Sequence, residues 1–304
     1  MEIHFIGLEE EASCLMAAAL VQLGFRITGS SISLSPKGRE MLQEINVCPV
    51  TLGWDPVRIV SSLDLVVLEQ GEDSENPEIQ AARKLGIRTI QGTEMLLEMT
   101  RNKTRVVVAG NLETTQIIQI IREVLQYWDR EIDYFLSSSE GDLNQIVRFT
   151  HSNDFILIKG PATIEGMPNI RLPLFNYSPN IALLTASIGD MYASNTGEGT
   201  LHSVMDAFLN NIIPGGSITY NSEILELNNA IQKLEKPIRK FPYCTPENSR
   251  SEGQTWLETP EGPMPLNLPE AFEARNLEGA RWICQQMGID AADFFEAIST
   301  ITLG

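Results

Sequence analysis

Arg105-Val106-Val107-Val108-Ala109-Gly110-Asn111-Leu112-Glu113-Thr114-Thr115 decides how this chain is read. A β-branched apolar run enters a glycine, turns through polar residues and reaches paired threonines. An amphipathic helix then continues through Gln126. That strand–loop–helix outline belongs to phosphate-binding loops, in which backbone N–H groups and a helix N-terminus offer partial positive charge. Such loops place a lysine beside the Thr or Ser that coordinates magnesium. Here Glu113 stands at the lysine's position. The shape predicts a nucleotide site and the charge opposes one. Thr114 and Thr115 have a second reading, as residues that cap and start the helix.

Working outward, the residues before and after this loop alternate between strand and helix patterns, which predicts α/β architecture. In the N-terminal part, Glu2-Ile3-His4-Phe5-Ile6 ends at Gly7, and a helix over 10–23 is closed by Gly24. Phe25 to Thr28 begins the second strand, and a helix follows from Pro36 to Ile45. Leu63 to Leu68 reads as a buried parallel strand. Asn76-Pro77 opens a helix that ends at Gly86, with proline at an early helical position. Ile87 to Ile90 is the next strand, and Thr93 is expected to cap a helix to Met99. This predicts a Rossmann-like, doubly wound parallel sheet over residues 1–102.

The turn after the first strand is the usual ligand end of such a sheet. Gly7-Leu8-Glu9-Glu10-Glu11 keeps one glycine and then sets three carboxylates in the first turn of the helix. Acidic residues there stabilise a helix by roughly 0.3–1 kcal/mol each. They also take the position of a diphosphate, which would meet repulsion on the order of 4 kcal/mol per unit charge pair at intermediate dielectric. A dehydrogenase reading of this domain lacks G-x-G-x-x-G and meets the same glutamates.

Residues 103–304 form the second predicted domain, with a mostly parallel sheet. Strands are expected over 131–136, 154–159, 180–185 and 217–221. Helices are expected over 141–149, 199–213, 223–234, 270–287 and 291–300. Trp256 to Leu266 reads as a short hairpin around a Pro/Gly turn.

The 304 residues, 43% of them hydrophobic, suffice for two cores, and a formal charge of −18 argues against nucleic acid or an anionic membrane as partner. No apolar run reaches the roughly 20 residues of a membrane helix, and no signal-like lead opens the chain, so a cytoplasmic protein is expected. Cys14, Cys48, Cys244 and Cys284 are widely spaced, which predicts buried free thiols rather than a disulfide framework or a zinc site. The three histidines are equally isolated; no metal site and no catalytic residue is predicted from the residues alone.

With these pieces in order, the chain resembles the Mur ligase family, ATP-dependent enzymes that add amino acids or peptides to UDP-N-acetylmuramate. The resembling fragments of the first domain are Ile3-His4-Phe5-Ile6-Gly7, Thr28-Gly29-Ser30, Asn76-Pro77-Glu78 and Glu94-Met95-Leu96. Those of the second are Val108-Ala109-Gly110 with Thr114-Thr115, Pro179 to Thr185, Pro214-Gly215-Gly216 and Arg275-Asn276-Leu277. The resemblance implies an N-terminal nucleotide-sugar domain and a P-loop-like central domain. It places a remnant ATP site at Gly110, Asn111, Glu113, Thr114, Thr115, Asp190 and Asn276, and a remnant nucleotide-sugar site at Gly7, Ser30, Ser31 and Thr93.

The departures fall on the chemistry. The family's G-T-H-G-K-T-T is one residue shorter here and has lost its lysine. The turn after Ile158-Lys159 lacks the carboxylate that serves magnesium. Met191 replaces a histidine, although Asp190 is kept, either as a turn residue or as a former metal ligand. The family's asparagine–histidine pair becomes Arg275-Asn276, and its third domain would begin where this chain stops. The expectation is a catalytically degenerate relative, without cofactor, that binds a cell-wall precursor or a Mur-pathway protein. The alternative is two domains of a split ligase that uses ATP and magnesium.

Overall fold

The computed structural model describes residues 1–9, 11–47, 51–69, 75–110, 113–136, 143–160, 177–185, 206–251, 254–259, 262–266 and 273–301. The chain divides into two compact units, residues 1–103 with 133–154, and residues 104–132 with 155–304. The sequence assigns 133–154 to the second domain, whereas their contacts group them with the first.

The first unit holds β1 (Glu2–Ile6), α1 (Glu11–Gln22), β2 (Arg26–Ser31), α2 (Pro36–Glu44), β3 (Thr51–Leu52), β4 (Leu65–Leu68), α3 (Pro77–Leu85), β5 (Arg88–Gln91) and α4 (Gly92–Met99). Its strands run in the order β3-β2-β1-β4-β5, all parallel. β1 therefore sits where the chain order reverses, and the C-terminal ends of β1 and β4 frame the ligand position of a doubly wound sheet. Ile6, Ile59, Leu63, Val66, Ile79 and Ala82 form a buried cluster under α3. Asn76 caps α3 by accepting from the Glu78 N–H at 2.9 Å, and Gly86 closes it at φ 67°. β3 and the 3₁₀ turn Pro56–Arg58 are too short to carry a period and were not expected.

One predicted cap is corrected. Gln91, not Thr93, is the N-cap of α4, because Glu94 reaches back to the Gln91 N–H at 2.9 Å and starts the helix two residues earlier. Residues 141–149 are also corrected. Among its described residues Leu143–Ile146 is helical (α6), and Val147–Arg148 (β8) pairs antiparallel with Asp133–Phe135 (β7). Asp133, fully buried, holds this segment through the Lys103 ammonium at 2.8 Å and donors on Thr150 and Asn153.

The second unit contains β6 (Thr104–Ala109), α5 (Glu113–Tyr127), β9 (Phe155–Lys159), β10 (Ile181–Leu184), β11 (Ser217–Asn221), α7 (Leu225–Lys233), β12 (Arg239–Tyr243), α8 (Ala274–Gln286) and α9 (Ala291–Thr300). Residues 206–211 are helical and the helix ends before Ile212, whereas residues 199–205 of the predicted helix lie outside the described residues. The parallel order is β12-β11-β10-β6-β9, with β6 central. α5 buries Ile117, Ile120, Ile121 and Val124 at helical spacing, each fully, for roughly 1.5–3 kcal/mol per side chain. α8 packs along α5. The expected hairpin is β14 (Gln254–Thr259) with β15 (Gly262–Leu266), joined by β13 (Asn248–Ser251) in a small antiparallel sheet. No helix among the described residues is long and apolar enough to cross a membrane.

Candidate functional site

The strand end and helix start on either side of the loop lie where the pattern places them, with Gly110 directly after β6 and Glu113 opening α5. Gly110 adopts φ 147°, and a Cβ there would lie 1.9 Å from Thr185 Oγ1, so only glycine lets β6 and the end of β10 close. Thr114 is buried against the core, while Thr115 is exposed at the surface of the first turn. Asn111 and Asp190 lie outside the described residues.

The charges at this helix start are arranged among the protein's own groups. Glu113 Oε1 accepts from Arg275 Nη2 at 2.5 Å, and the same guanidinium meets Glu273 Oε2 at 2.6 Å. Arg275 begins α8 and is only partly exposed; a solvated cation was the alternative reading of its sequence position. The next residue, Asn276, is 1% exposed and donates from Nδ2 to Gln116 Oε1 on α5 at 2.8 Å. Arg275 and Asn276 thus fasten α8 to the start of α5. Across the loop, Lys159 Nζ at the end of β9 donates to Thr115 Oγ1 at 2.9 Å. Burial pushes the Tyr243 phenol above its ordinary range, and the Glu113 carboxylate adds to the shift. Its hydroxyl packs where a Cβ on Gly279 would come within 3.1 Å.

The equivalent end of the first unit is filled differently. Gly7 turns at φ 94°. The carboxylate of Glu69, just past β4, accepts from the Glu9 N–H at 3.2 Å and from Ser13 Oγ at 3.0 Å. Glu9 turns its own carboxylate to the Ile32 N–H at 3.1 Å, and Glu11 pairs with Lys37 at 3.3 Å. Glu69, sixty residues from Glu9 in sequence, therefore adds a carboxylate at the start of α1 to that of Glu11 in its first turn; Glu10 is outside the described residues.

Ser30 and Ser31, both fully buried, face inward. Ser30 Oγ donates to Glu78, and Ser31 Oγ to the Ser33 carbonyl. Glu78, also fully buried, further accepts from the Asp55 N–H at 2.8 Å and lies 3.7 Å from His4 Nε2. Burial alone would raise its pKa; the imidazole, the Ser30 hydroxyl and the Asp55 N–H outweigh burial and hold the carboxyl below its ordinary value. His4, in turn, shares a 2.8 Å hydrogen bond with Thr28 Oγ1. Thr93 stays in the first turn of α4 and makes none of these contacts. Cys14 and Cys284 are buried as expected, whereas Cys244 is exposed because its neighbour Tyr243 takes the inward position on β12.

Sequence reasoning missed three participants, Glu69, Lys159 and the Glu113–Arg275 pair. Each depends on register between strands or packing between helices, and only Lys159 carried a local hint, as the residue at a strand end beside the loop. Among the described residues, no group of three or more His, Cys, Asp or Glu is placed to hold a metal ion.

A doubly wound unit followed by a glycine-turned, P-loop-like unit is the order of domains that the sequence resemblance implies. No family model matches the chain. Curated relatives do: it is 24% identical over 310 residues to UDP-N-acetylmuramate–L-alanine ligase of Halorhodospira halophila, covering 98% of this chain and 62% of that protein. It is 25% identical over 316 residues to the ligase of the same name from Persephonella marina, covering 97% of this chain and 64% of that protein. The crystal structure of UDP-N-acetylmuramate:L-alanyl-γ-D-glutamyl-meso-diaminopimelate ligase from Neisseria meningitides superposes with a TM-score of 0.75 at 18% identity, covering 100% of this chain and 98% of that one. The chain is therefore Mur-ligase-related and has the fold of the family's N-terminal and central domains. It spans 62–64% of the length of these curated relatives.

Proposed function

We propose that this protein belongs to peptidoglycan precursor metabolism and acts by binding, to a cell-wall precursor or to a protein of the same pathway, rather than by ATP-driven ligation. The observation that carries this reading is the Glu113–Arg275 pair at the start of α5. Ligation needs a carboxylate activated as an acyl phosphate, and so cations converging on a transferring phosphoryl group. Replacing a loop lysine by glutamate changes the local charge by two units next to where a triphosphate would lie. Arg275 is turned to the protein's own carboxylates instead. Among the described residues, a glutamate already held by a guanidinium stands at the lysine's position, and that does not fit ATP and magnesium.

A second reading, two domains of a split ATP-dependent ligase, is favoured by the glycine turn at the start of the loop. Gly110 still makes its turn against Thr185, and both threonines are kept. Calorimetric titration with UDP-N-acetylmuramate and its peptide derivatives, in the absence of ATP, tests the binding role. Saturable binding of a peptide-bearing precursor supports it. ATP hydrolysis stimulated by those same precursors would sink it and favour the split ligase.

A further inference from the structure

β3 pairs with β2 only at Ser30 and Ser31, so among the described residues no strand lies beyond the first half of β2 on that side. A cavity of about 450 Å³ opens there, and every residue that lines it belongs to the first unit. It sits at the starts of β1 and β2, the opposite end of these strands from Gly7 and Ser30. We infer that this cavity binds a small amphipathic carboxylate, with its apolar body in the cleft and its anionic head on Arg58. The inference is independent of the function proposed above, because none of the residues read as ATP or nucleotide-sugar contacts lines the cavity.

The wall that would hold the apolar body follows from the chain. α1 ends at Gln22 and α2 at Glu44, and the segments that leave them carry Phe25 and Val47 to the same cleft as Ile27 of β2. Leu63, just before β4, lines it from the other side. Phe25 and Ile27 stay half-buried, and Val60 at the rim is 45% exposed. A ligand that covers these side chains removes apolar surface from water, which is the main driving force for such binding. The volume falls within the range of about 300–1,000 Å³ typical of small-molecule sites, which are mostly apolar with a few placed polar groups.

The placed polar group is Arg58, at the end of the 3₁₀ turn. Its side chain is only 29% exposed. A guanidinium carries five N–H donors in a planar fork. Among the described residues one of them is engaged, by a 3.4 Å bond from Nη1 to the Gly29 carbonyl. Asp55 Oδ2 stands 3.9 Å from Nε, beyond hydrogen-bond length, and its other oxygen accepts from the Val57 N–H. A mostly buried cation with so few partners calls for an acceptor, and the fork matches a carboxylate. Arg26, the second guanidinium of the lining, is 81% exposed and already paired with Glu2 at 2.8 Å. The chain's formal charge of −18 opposes a multiply charged anion, which favours a carboxylate over a phosphate.

Calorimetric titration of sodium octanoate into the full chain, with 1-octanol as its neutral counterpart, tests the inference. Saturable binding of one octanoate per chain is expected, with octanol weaker by roughly tenfold or more for want of a charged head. Arg58→Gln should weaken octanoate by a similar factor and leave octanol unchanged. Val60→Trp, which sets an indole over the cleft from an exposed position, should abolish the binding of both. Circular dichroism and thermal melts establish that each variant is folded. A wild type that shows no saturable octanoate binding overturns the inference without recourse to a variant. Octanol binding as tight as that of octanoate also overturns it, because Arg58 then selects nothing. Octanoate affinity undiminished in folded Arg58→Gln or Val60→Trp does the same, because the ligand then lies elsewhere.

Discussion

The helix starts at the two candidate ligand ends, α1 in the first unit and α5 in the second, reach the same electrostatic outcome by different routes. At α1 a carboxylate from another strand end, Glu69, takes the N–H of Glu9 and the hydroxyl of Ser13. At α5 the carboxylate belongs to the helix itself, Glu113, and a guanidinium from α8 satisfies it. In both, negative charge meets the positive end of the helix dipole without a bound phosphate. The routes differ in what else depends on them. The Glu69 contact is a cap that touches one loop. The Glu113–Arg275 pair is part of the packing between α5 and α8, next to the Asn276–Gln116 bond. The second site is therefore built into its unit's core, and the first is closer to a removable plug.

The steepest difference is expected at glycines. Gly110→Ala forces a Cβ onto Thr185 at φ 147° and is expected to cost about 3 kcal/mol or more, read from urea denaturation. Gly29→Ala in the first unit meets the Leu8 Cδ1 end at 2.3 Å, a side-chain tip that can move, and should cost only about 1–2 kcal/mol. Equal losses would break the contrast between a rigid second site and a yielding first one.

Next in size is Glu78→Gln. It weakens a fully buried acceptor set and is expected to destabilise the protein by about 2–3 kcal/mol. Because the folded carboxyl titrates below its ordinary 4.5, its contribution is fully present above that value and is lost as pH falls through the lower folded value. Wild type should therefore lose stability relative to Glu78→Gln on acidification below about pH 4.5, a crossover visible in melts taken across pH 3–6. A pH-independent difference between the two proteins would contradict the assignment.

The smallest effects separate the two carboxylates themselves. Arg275→Ala leaves Glu113 without its guanidinium and should cost about 1 kcal/mol, a value between exposed and buried pairs because Arg275 is 36% exposed. Glu69→Ala should cost about 0.5–1 kcal/mol and leave the second unit unaffected. If the first site is a plug, Glu69→Ala also raises affinity for UDP-N-acetylmuramate in the calorimeter, whereas Arg275→Ala does not create affinity for ATP. Should Glu69→Ala change nothing in ligand binding, the plug description fails.

Much of the fold could be read in advance for a physical reason. Continuous apolar strands such as Leu65–Leu68 and Ile181–Leu184, and the helical spacing of Ile117, Ile121 and Val124, report burial locally. Asn76-Pro77 and Gly86 marked both ends of α3 through local capping chemistry. The two-residue β3, and β12 with its Pro242, escaped because neither carries a strand period. Ser30 and Ser31, read as ligand contacts, are buried polar groups whose partners lie on α3 and in the following turn. No spacing in the sequence announces which way a strand-end serine faces. Glu113 was legible as a charge in the wrong place, but Arg275 as its partner, 162 residues on, required the packing of α8 against α5.

Calorimetric titration of ATP into the full chain, with and without magnesium, tests the central claim most directly. The account predicts no tight binding and the same isotherm in both conditions, since the loop offers a glutamate paired with Arg275 in place of lysine. Micromolar ATP affinity that appears only when magnesium is added would contradict it.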